Sequence, residues 1–560
     1  MKSSDPQLPG QRNNQRPQTQ RPADTQDDWW KYGVIYQVNV RSFFDANNDG
    51  VGDIKGLTAK LDYFVELGVA AIALTPVFTS PMSDFGFDVS DYYSLDPAFG
   101  DLDDFDALIR AANNRGLKVL LDIVISHTSV QHPWFLESKQ DRNNPKADWY
   151  VWADAQADGT VPNNWQTTFG HPAWSWSSTR GQYYLHNATS RQADLNFHNS
   201  EVIAEVLSIL QFWLERGVAG FRLDCPNLYT HDKKLRNNPP RRNMATIPEE
   251  ALINPFEYQL QIYNQNRPET LPTLARIRRL CDRYEAALLG SVTSSATFEM
   301  LNIYSGSQEG LQMANIYEAL PSVYNLPGLV SVVQTFEENC DQVWPYWMLN
   351  NHDVARLVSR WEGDHDAPRL AAIVLALHLS LRGTPVLFQG DELGLEEAYI
   401  PFDNLCDPYG KLSWPQYMGR DGCRTPLPWD DKPPHAGFST HTPWLPIDPR
   451  HLSHAINVQQ KDPESVLRRV QQFIRWREQQ PEILLGSMSI IHADASVLLL
   501  LRKHKGGRLL AAFNVSYEPA EIELNLPQPP EVLSGHGFRG ELRDNRIYLP
   551  PYEAFFGRLP

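Results

Sequence analysis

Acidic, histidine and arginine residues stand at the ends of several short apolar runs. The run 117–125 contains Asp122 and leads into Ser126-His127. The run 218–223 contains Arg222 and ends at Asp224, and the run 286–289 leads into Gly290-Ser291. The run 346–349 leads into Asn350-Asn351-His352-Asp353, and the run 384–388 into Gly390-Asp391-Glu392. One such residue alone is usually structural. Several together suit a different role, because converging carboxylates, histidines and an arginine fit chemistry that passes through a cationic transition state. A second cluster lies nearer the start of the chain. Asp45, Asn47, Asp49, Val51 (through its carbonyl) and Asp53 offer oxygen donors at alternate positions around Gly50. Such a set suits a hard cation, Ca²⁺ or Mg²⁺. It is no EF-hand, since Gly56 occupies the twelfth position where Glu is required. The plainer reading is an Asx-rich turn without metal.

These residues need a scaffold that brings strand ends together. From Trp29 onward, short apolar runs alternate with amphipathic stretches. The pattern predicts strands over 34–40, 69–74, 117–125, 218–223, 286–289, 346–349 and 384–388. It predicts helices over 57–67, 102–113, 202–216, 274–280 and 369–381. Such alternation argues for an α/β fold with a parallel sheet and helical crossovers. Closure into an eight-stranded barrel is the economical arrangement, with chemistry at the C-terminal strand ends where the polar residues lie. A doubly wound open sheet is the runner-up, weakened because no Gly-x-Gly-x-x-Gly follows the first strand.

The alternation breaks twice. Residues 126–201 are rich in Trp, Asn, Pro and His, as expected of a functional loop or small subdomain. After about residue 486 the pattern becomes short strands, over 497–502, 508–514, 520–526 and 546–549. The expected organisation is a disordered tail over 1–27, a barrel over 28–485 with a subdomain inserted over 128–200, and a C-terminal all-β sandwich over 486–560.

Composition narrows the function classes. The chain has 560 residues and a formal net charge of −17, which disfavours nucleic acid and anionic membrane as partners. Mean hydropathy is −0.43 and no long apolar run suggests a transmembrane helix. Five scattered cysteines form no Cys-x-x-Cys pair, and with no signal-peptide pattern the expected compartment is the cytoplasm. The 16 Trp and 22 Tyr fit either a large core or stacking against sugar rings.

The motifs resemble those of glycoside hydrolase family 13, the α-amylase superfamily. The likeness lies in Asp122-Ile-Val-Ile-Ser-His127, Asp194-Leu195-Asn196, Gly220-Phe-Arg-Leu-Asp224, Asn351-His352-Asp353, Asp84-Phe-Gly-Phe-Asp88 and Gly390-Asp-Glu-Leu-Gly394. The run Arg420-Asp-Gly-Cys-Arg-Thr-Pro-Leu-Pro-Trp429 is similar to the α-glucosidase and oligo-1,6-glucosidase branch, and within it to bacterial α-glucosidases and α-glucosyl-transfer enzymes. The resemblance implies a (β/α)8 TIM barrel with a subdomain inserted after the third strand and a C-terminal all-β domain. It implies a retaining mechanism on small α-glucosides or oligosaccharides, a structural Ca²⁺ or Mg²⁺, and no organic cofactor. The catalytic positions would be Asp224 as nucleophile, Asp353, and the general-acid position held by Ser291. Arg222 would orient Asp224. His127, His352 and Asp353 would bind hydroxyls of the first sugar, and Phe87 would lie beneath it. Asp84 and Arg420 would clamp its far edge, making the pocket blind and the reaction exo-acting.

Ser291 departs from the family's pattern. Two carboxyl groups are needed in retaining hydrolysis, one nucleophilic and one acid/base. The family carries Glu after the Gly that ends the fifth strand, and this chain has Gly290-Ser291. A serine hydroxyl is too weak an acid to protonate a leaving oxygen at neutral pH. Glu299, eight residues on, is an alternative donor or a solvated loop carboxylate. Phe87 stands where a Tyr is usual, and Cys225-Pro226 follows the nucleophile where small or β-branched residues are usual. Three functions remain open: an α-glucosidase-type enzyme, a sugar-binding pseudoenzyme, and a glucosyltransferase using an activated donor.

Overall fold

The computed structural model describes residues 28–242, 254–292, 297–316, 325–340, 342–363 and 365–560. The tail expected over 1–27 lies outside them.

Eight parallel strands form one sheet: β1 Ile35–Val38, β2 Ala71–Leu74, β3 Lys118–Ile123, β4 Gly220–Leu223, β5 Ala287–Val292, β6 Met313–Ile316, β7 Tyr346–Met348 and β8 Thr384–Phe388. Neighbours in sequence pair from β1 to β6, β7 pairs with β8, and β8 returns to β1. A parallel bridge between Ala314 and Pro345 closes β6 against β7. The sheet is therefore a closed barrel and not a doubly wound open sheet. β6 was not among the predicted strands.

Helices cross between the strands: α1 Leu61–Leu67, α2 Leu102–Asn113, α3 Ser200–Glu215, α4 Leu271–Arg283, α5 Thr297–Ser305, α6 Leu326–Asn339 and α7 Ala367–Ser380. α2 shows why its sequence folds this way. Asp101 and Asp104 form a reciprocal capping box at its start, and Phe105, Leu108, Ile109 and Ala112 bury one face. The helix expected over 57–67 is two pieces, Ile54–Ala59 and α1, broken at Lys60.

The strands alternate in face, which sets up the site. Tyr36, Ile72, Leu121, Phe221, Leu288, Trp347 and Leu387 point outward into the core shared with the helices. Ile35, Ala71, Ala73, Leu120, Ala287, Leu289, Met313, Tyr346, Met348 and Val386 fill the barrel interior. Moving toward the C-terminal ends, the same inward positions become polar: Gln37, Asp122, Arg222 and Ser291, all buried. The interior is thus an apolar floor beneath a polar layer.

Between β3 and β4, His127–Ser129 pairs antiparallel with Gln192–Asp194, and a three-stranded sheet of Trp152–Ala153, Trp174–Ser177 and Gln182–Leu185 stands beyond it. That sheet has its own small core of Val151, Ala153, Trp165, Ala173, Trp174 and Leu185. After helix α8 (Val466–Arg477), antiparallel sheets of five and three strands follow. In the strand Val497–His504, Val497 and Leu499 face the core between the two sheets, while Leu498 and Leu500 face the core shared with the barrel. Period-two alternation thus places one sheet between two cores.

Candidate active site

Arg222 is the hub of the polar layer. It lies beside Asp122 across the β4–β3 register. One arm of its guanidinium donates to Asp122 Oδ2 at 3.1 Å and approaches Asp224 Oδ1 at 3.7 Å. The other arm donates to Ser291 Oγ at 2.7 Å. Gln37 Nε2 supports Asp122 Oδ2 from β1 at 3.0 Å. Burial pushes the Asp122 carboxyl up, and Arg222 opposes that rise. Burial also works against the charge of Arg222, but Asp122, Tyr346 and Asp224 outweigh it, so the guanidinium stays cationic.

Asp224 follows β4 directly, and its side chain is 20 % exposed. Cys225 next to it has a left-handed φ of 41°, and Pro226 opens a short 3-10 turn over Pro226–Leu228. The chain turns away immediately after the carboxylate, leaving Asp224 at the rim of the polar layer.

Ser291 is fully buried on β5. Its Oγ is held between Arg222 Nη2 and Tyr346 OH, the latter at 2.7 Å. Its register partner on β6 is Asn315. Glu299 does not join this group. It is exposed in the first turn of α5, so it is a helix residue and not the expected loop carboxylate.

A second group of charges faces the first. Arg420 donates to Asp84 Oδ1 at 2.8 Å, to Asp353 Oδ1 at 3.2 Å and to Asp407 Oδ1 at 2.9 Å. Arg424 donates to Asp353 Oδ1 at 3.0 Å and to the His352 carbonyl at 2.6 Å. His352 Nε2 lies 3.1 Å from Asp353 Oδ2. Burial opposes ionisation of Asp353, but His352, Arg420 and Arg424 together hold it well below the usual carboxylate range. It is therefore an anion at neutral pH.

His127 is buried on the inserted segment, with Nδ1 3.0 Å from Ser126 Oγ and Nε2 3.0 Å from the Phe87 carbonyl. Burial pushes its pKa down, which makes the imidazole neutral near pH 7. Gln192 Nε2 reaches both Asp84 Oδ2 and His127 Nε2 at 3.2 Å. Phe87 stacks on the His352 ring with centroids 5.1 Å apart.

Direct contacts therefore link Arg222, Asp224 and Ser291 in one group and Asp84, Phe87, His127, His352, Asp353 and Arg420 in another, and the two groups lie close enough for His127 to feel the charge of Asp224. Sequence reasoning did not single out Asp407, Arg424, Gln192 or Tyr346. Arg424 lies within the 420–429 run but was given no role there, and no local motif marks Asp407, Gln192 or Tyr346.

Asp45, Asn47, Asp49, Val51 and Asp53 lie in the loop after β1. The Asp45 carboxylate accepts from the amides of Asn48 and Gly50 and from Ser439 Oγ. Asp53 accepts from the amides of Ala46, Asn47 and Gly56 and caps the helix Ile54–Ala59. Asn47 Nδ2 donates to Asp49 Oδ2. The donor set is entirely oxygen and fits a hard cation in chemistry. Among the described residues, however, no three His, Cys, Asp or Glu side chains converge on one point.

Comparison with known proteins gives a consistent result. The alpha-amylase family, described as the alpha amylase catalytic domain, matches residues 37–486. A probable alpha-glucosidase of Rhizobium meliloti (strain 1021) is 46% identical over 542 residues, covering 95% of this chain and 97% of that protein. An oligo-1,6-glucosidase of Parageobacillus thermoglucosidasius is 32% identical over 498 residues, covering 83% and 86%. Among solved structures, the alpha-glucosyl transfer enzyme XgtA superposes with a TM-score of 0.92 at 46% identity, covering 95% of this chain and 99% of that one. The trehalulose synthase MutB from Pseudomonas mesoacidophila MX-45 superposes with a TM-score of 0.85 at 30% identity, covering 95% and 99%. No helix among the described residues is long and apolar enough to cross a membrane.

Proposed function

The chain belongs to the α-amylase family, and from that premise we propose that it is an α-glucosidase-type enzyme acting on the non-reducing terminal glucose of small α-glucosides, with Asp224 as nucleophile and with turnover confined to good leaving groups. The observation that carries this reading is the Arg222 hub. Arg222 holds Asp122 and approaches Asp224 as a charged orienting group requires, while its second arm ends on Ser291 Oγ, a group that cannot supply a proton. The clamp of Asp84, Arg420 and Asp353 fits the hydroxyls of one terminal sugar.

In the first step a carboxylate oxygen of Asp224 attacks C1 and the bond to the leaving group breaks. A fluoride, phosphate or nitrophenolate leaves as an anion without a proton. A sugar alcohol such as the second glucose of maltose needs one. General acid–base catalysis is worth about 10²–10⁴-fold, so the difference between these donors is the diagnostic. The test is kcat/KM for maltose, an aryl α-glucoside and α-glucosyl fluoride. A steep rise from maltose to the fluoride is expected; comparable values would show that another group supplies the proton.

A sugar-binding protein without turnover is a second reading, favoured by the intact clamp beside a fully buried Ser291. It predicts heat on titration with glucose or maltose and no labelling of Asp224 by an activated glucosyl donor.

The loop from Asp45 to Asp53 is also proposed to hold Ca²⁺ or Mg²⁺, with oxygens of Asp45, Asn47, Asp49 and Asp53 and the Val51 carbonyl as ligands. Its role would be to fix the turn after β1. The chelator-treated protein is expected to melt at a lower temperature and to recover on adding Ca²⁺ or Mg²⁺. Identical melting with and without metal would leave the loop as a self-sufficient Asx turn.

A further inference from the structure

The polar layer around Ser291 holds buried donors without an acceptor, alongside the Asp122 carboxylate that Arg222 and Gln37 already share. Arg222 Nη2 points at Ser291 Oγ from one side and Tyr346 OH from another. Asn315, the register partner of Ser291 on β6, is buried and its Nδ2 has no hydrogen-bond partner. Arg222 Nε is likewise buried and without a partner. A guanidinium with an unpaired N–H and an amide N–H₂ on the neighbouring strand, beside a neutral hydroxyl, favour an acceptor bearing negative charge. The alternative, leaving buried donors unsatisfied, costs about 1–3 kcal/mol each.

Resting on the proposed role of Asp224, we infer that this protein transfers glucose to oxyanion acceptors, small carboxylates or phosphate, in preference to water or sugar hydroxyls. The chemistry follows from the missing base. Once glucose is esterified to Asp224, water and alcohols must lose a proton as they attack C1, and no carboxylate on β5 is present to take it. A carboxylate or phosphate oxyanion carries no such proton. Its oxygen attacks C1, the C1–Oδ bond to Asp224 breaks, and the electron pair returns to the Asp224 carboxylate. No proton moves and no oxidant or reductant is needed. Two inversions at C1 give an α-glucosyl ester or α-glucosyl phosphate. A serine in place of a carboxylate also removes one negative charge beside Arg222, so the approaching anion is not repelled from that side.

The experiment uses the full chain with α-glucosyl fluoride and separate additions of formate, acetate and phosphate at constant ionic strength. Fluoride release is followed, and products are identified by the anomeric proton resonance. The expected result is an initial burst of about one fluoride per protein, a slow steady state, and acceleration of that steady state by about 10²-fold with α-glucosyl formate, acetate or phosphate appearing. Formate and acetate active without phosphate would place the acceptor among carboxylates, and phosphate alone would place it among phosphates; either supports the inference. Ser291→Glu, which restores a base and a negative charge beside Arg222, should lose the acceleration. A burst that no anion accelerates, with glucose as the sole product, overturns the inference while leaving Asp224 as nucleophile. No burst, in a protein for which Asp224→Asn behaves identically, overturns both.

Discussion

At the scale of the residue, the proposed choice of donors turns on one side chain. Ser291 ends within the polar layer, fully buried between Arg222 and Tyr346, whereas Asp224 and Asp353 are each 20 % exposed at the rim. Among the described residues, β5 therefore offers no carboxyl group at its C-terminal end. Ser291→Glu restores a carboxyl next to Arg222 and is expected to raise kcat/KM for maltose by about 10²–10⁴-fold while changing kcat/KM for α-glucosyl fluoride, whose first step needs no proton, far less. Steady-state kinetics on both substrates checks this. A folded variant still labelled at Asp224 by an activated donor, yet no better with maltose, would show that Ser291 is not where the acid is missing. Most of this site was legible in the sequence. Arg222 and Asp224 sit two residues apart at one strand end, and His352 and Asp353 are adjacent, so their grouping is written locally. Gln192 and Tyr346 were not legible. Gln192 meets Asp84 across 108 residues and Tyr346 meets Ser291 across 55, and nothing near either marks the contact.

At the scale of the element, a helix cap holds Arg420, the centre of the proposed sugar clamp, in place. Asp407 caps the short helix Pro408–Ser413 by accepting from the Tyr409 amide, and the same carboxylate accepts from the backbone and side chain of Arg420. Burial opposes its ionisation, but Arg420 and Arg424 lower its pKa below the ordinary value, so it stays an anion. Asp407→Asn keeps the shape and the cap while removing the charge that orients Arg420. The expected result is a several-fold rise in KM for small glucosides with a smaller change in kcat, because the proposed function has Arg420 grip the far edge of the sugar and not its reacting carbon. A fall in kcat with unchanged KM would place Arg420 nearer the chemistry. The same scale explains what the pattern search overlooked. β6 is only Met313–Ile316, with an inward Asn315 and no run of β-branched residues, so its strand character comes from its neighbours β5 and β7. α8 was missed because Arg469 and Arg477 interrupt its apolar face, yet both are buried. Arg469 pairs with Glu553 at 2.7 Å, and Arg477 donates to the Leu379 and Tyr32 carbonyls. Helical periodicity reads such residues as solvent-facing.

At the scale of the whole molecule, the fold carries buried acids whose titration its stability should report. Glu392 is fully buried behind the barrel, where its carboxyl accepts from Tyr36 and Tyr63 hydroxyls and the Gly390 amide. Burial raises its pKa to about 7, and the hydroxyls only partly oppose that. Burial likewise raises Glu397 and Asp194 to about 7. A carboxyl raised in the folded state binds its proton more tightly there than in the unfolded chain. Its contribution is therefore fully present below the unfolded value near 4 and lost as pH climbs through about 7. Asp353 works in the opposite sense, since its depressed pKa gives stability present above the unfolded value and lost only in strong acid. Buried histidines oppose the raised carboxyls: burial holds His132, His186, His231, His378, His451 and His536 at about 3 to 4, so their contribution is present above the unfolded value and lost as pH falls. Thermal melting at constant ionic strength between pH 5 and pH 7.5 reads the sum, and Glu392 adds a fall to it. Glu392→Gln, which cannot titrate, should lack that fall, so its melting temperature should climb with pH relative to the unsubstituted protein even if it is lower at every pH. The shift in Glu392 corresponds to about 3 kcal/mol at most, large enough to move the melting temperature measurably in a molecule whose barrel and C-terminal sheets share one core. Equal slopes in the two proteins would mean that Glu392 is ionised throughout, its charge sustained by the two tyrosine hydroxyls against burial.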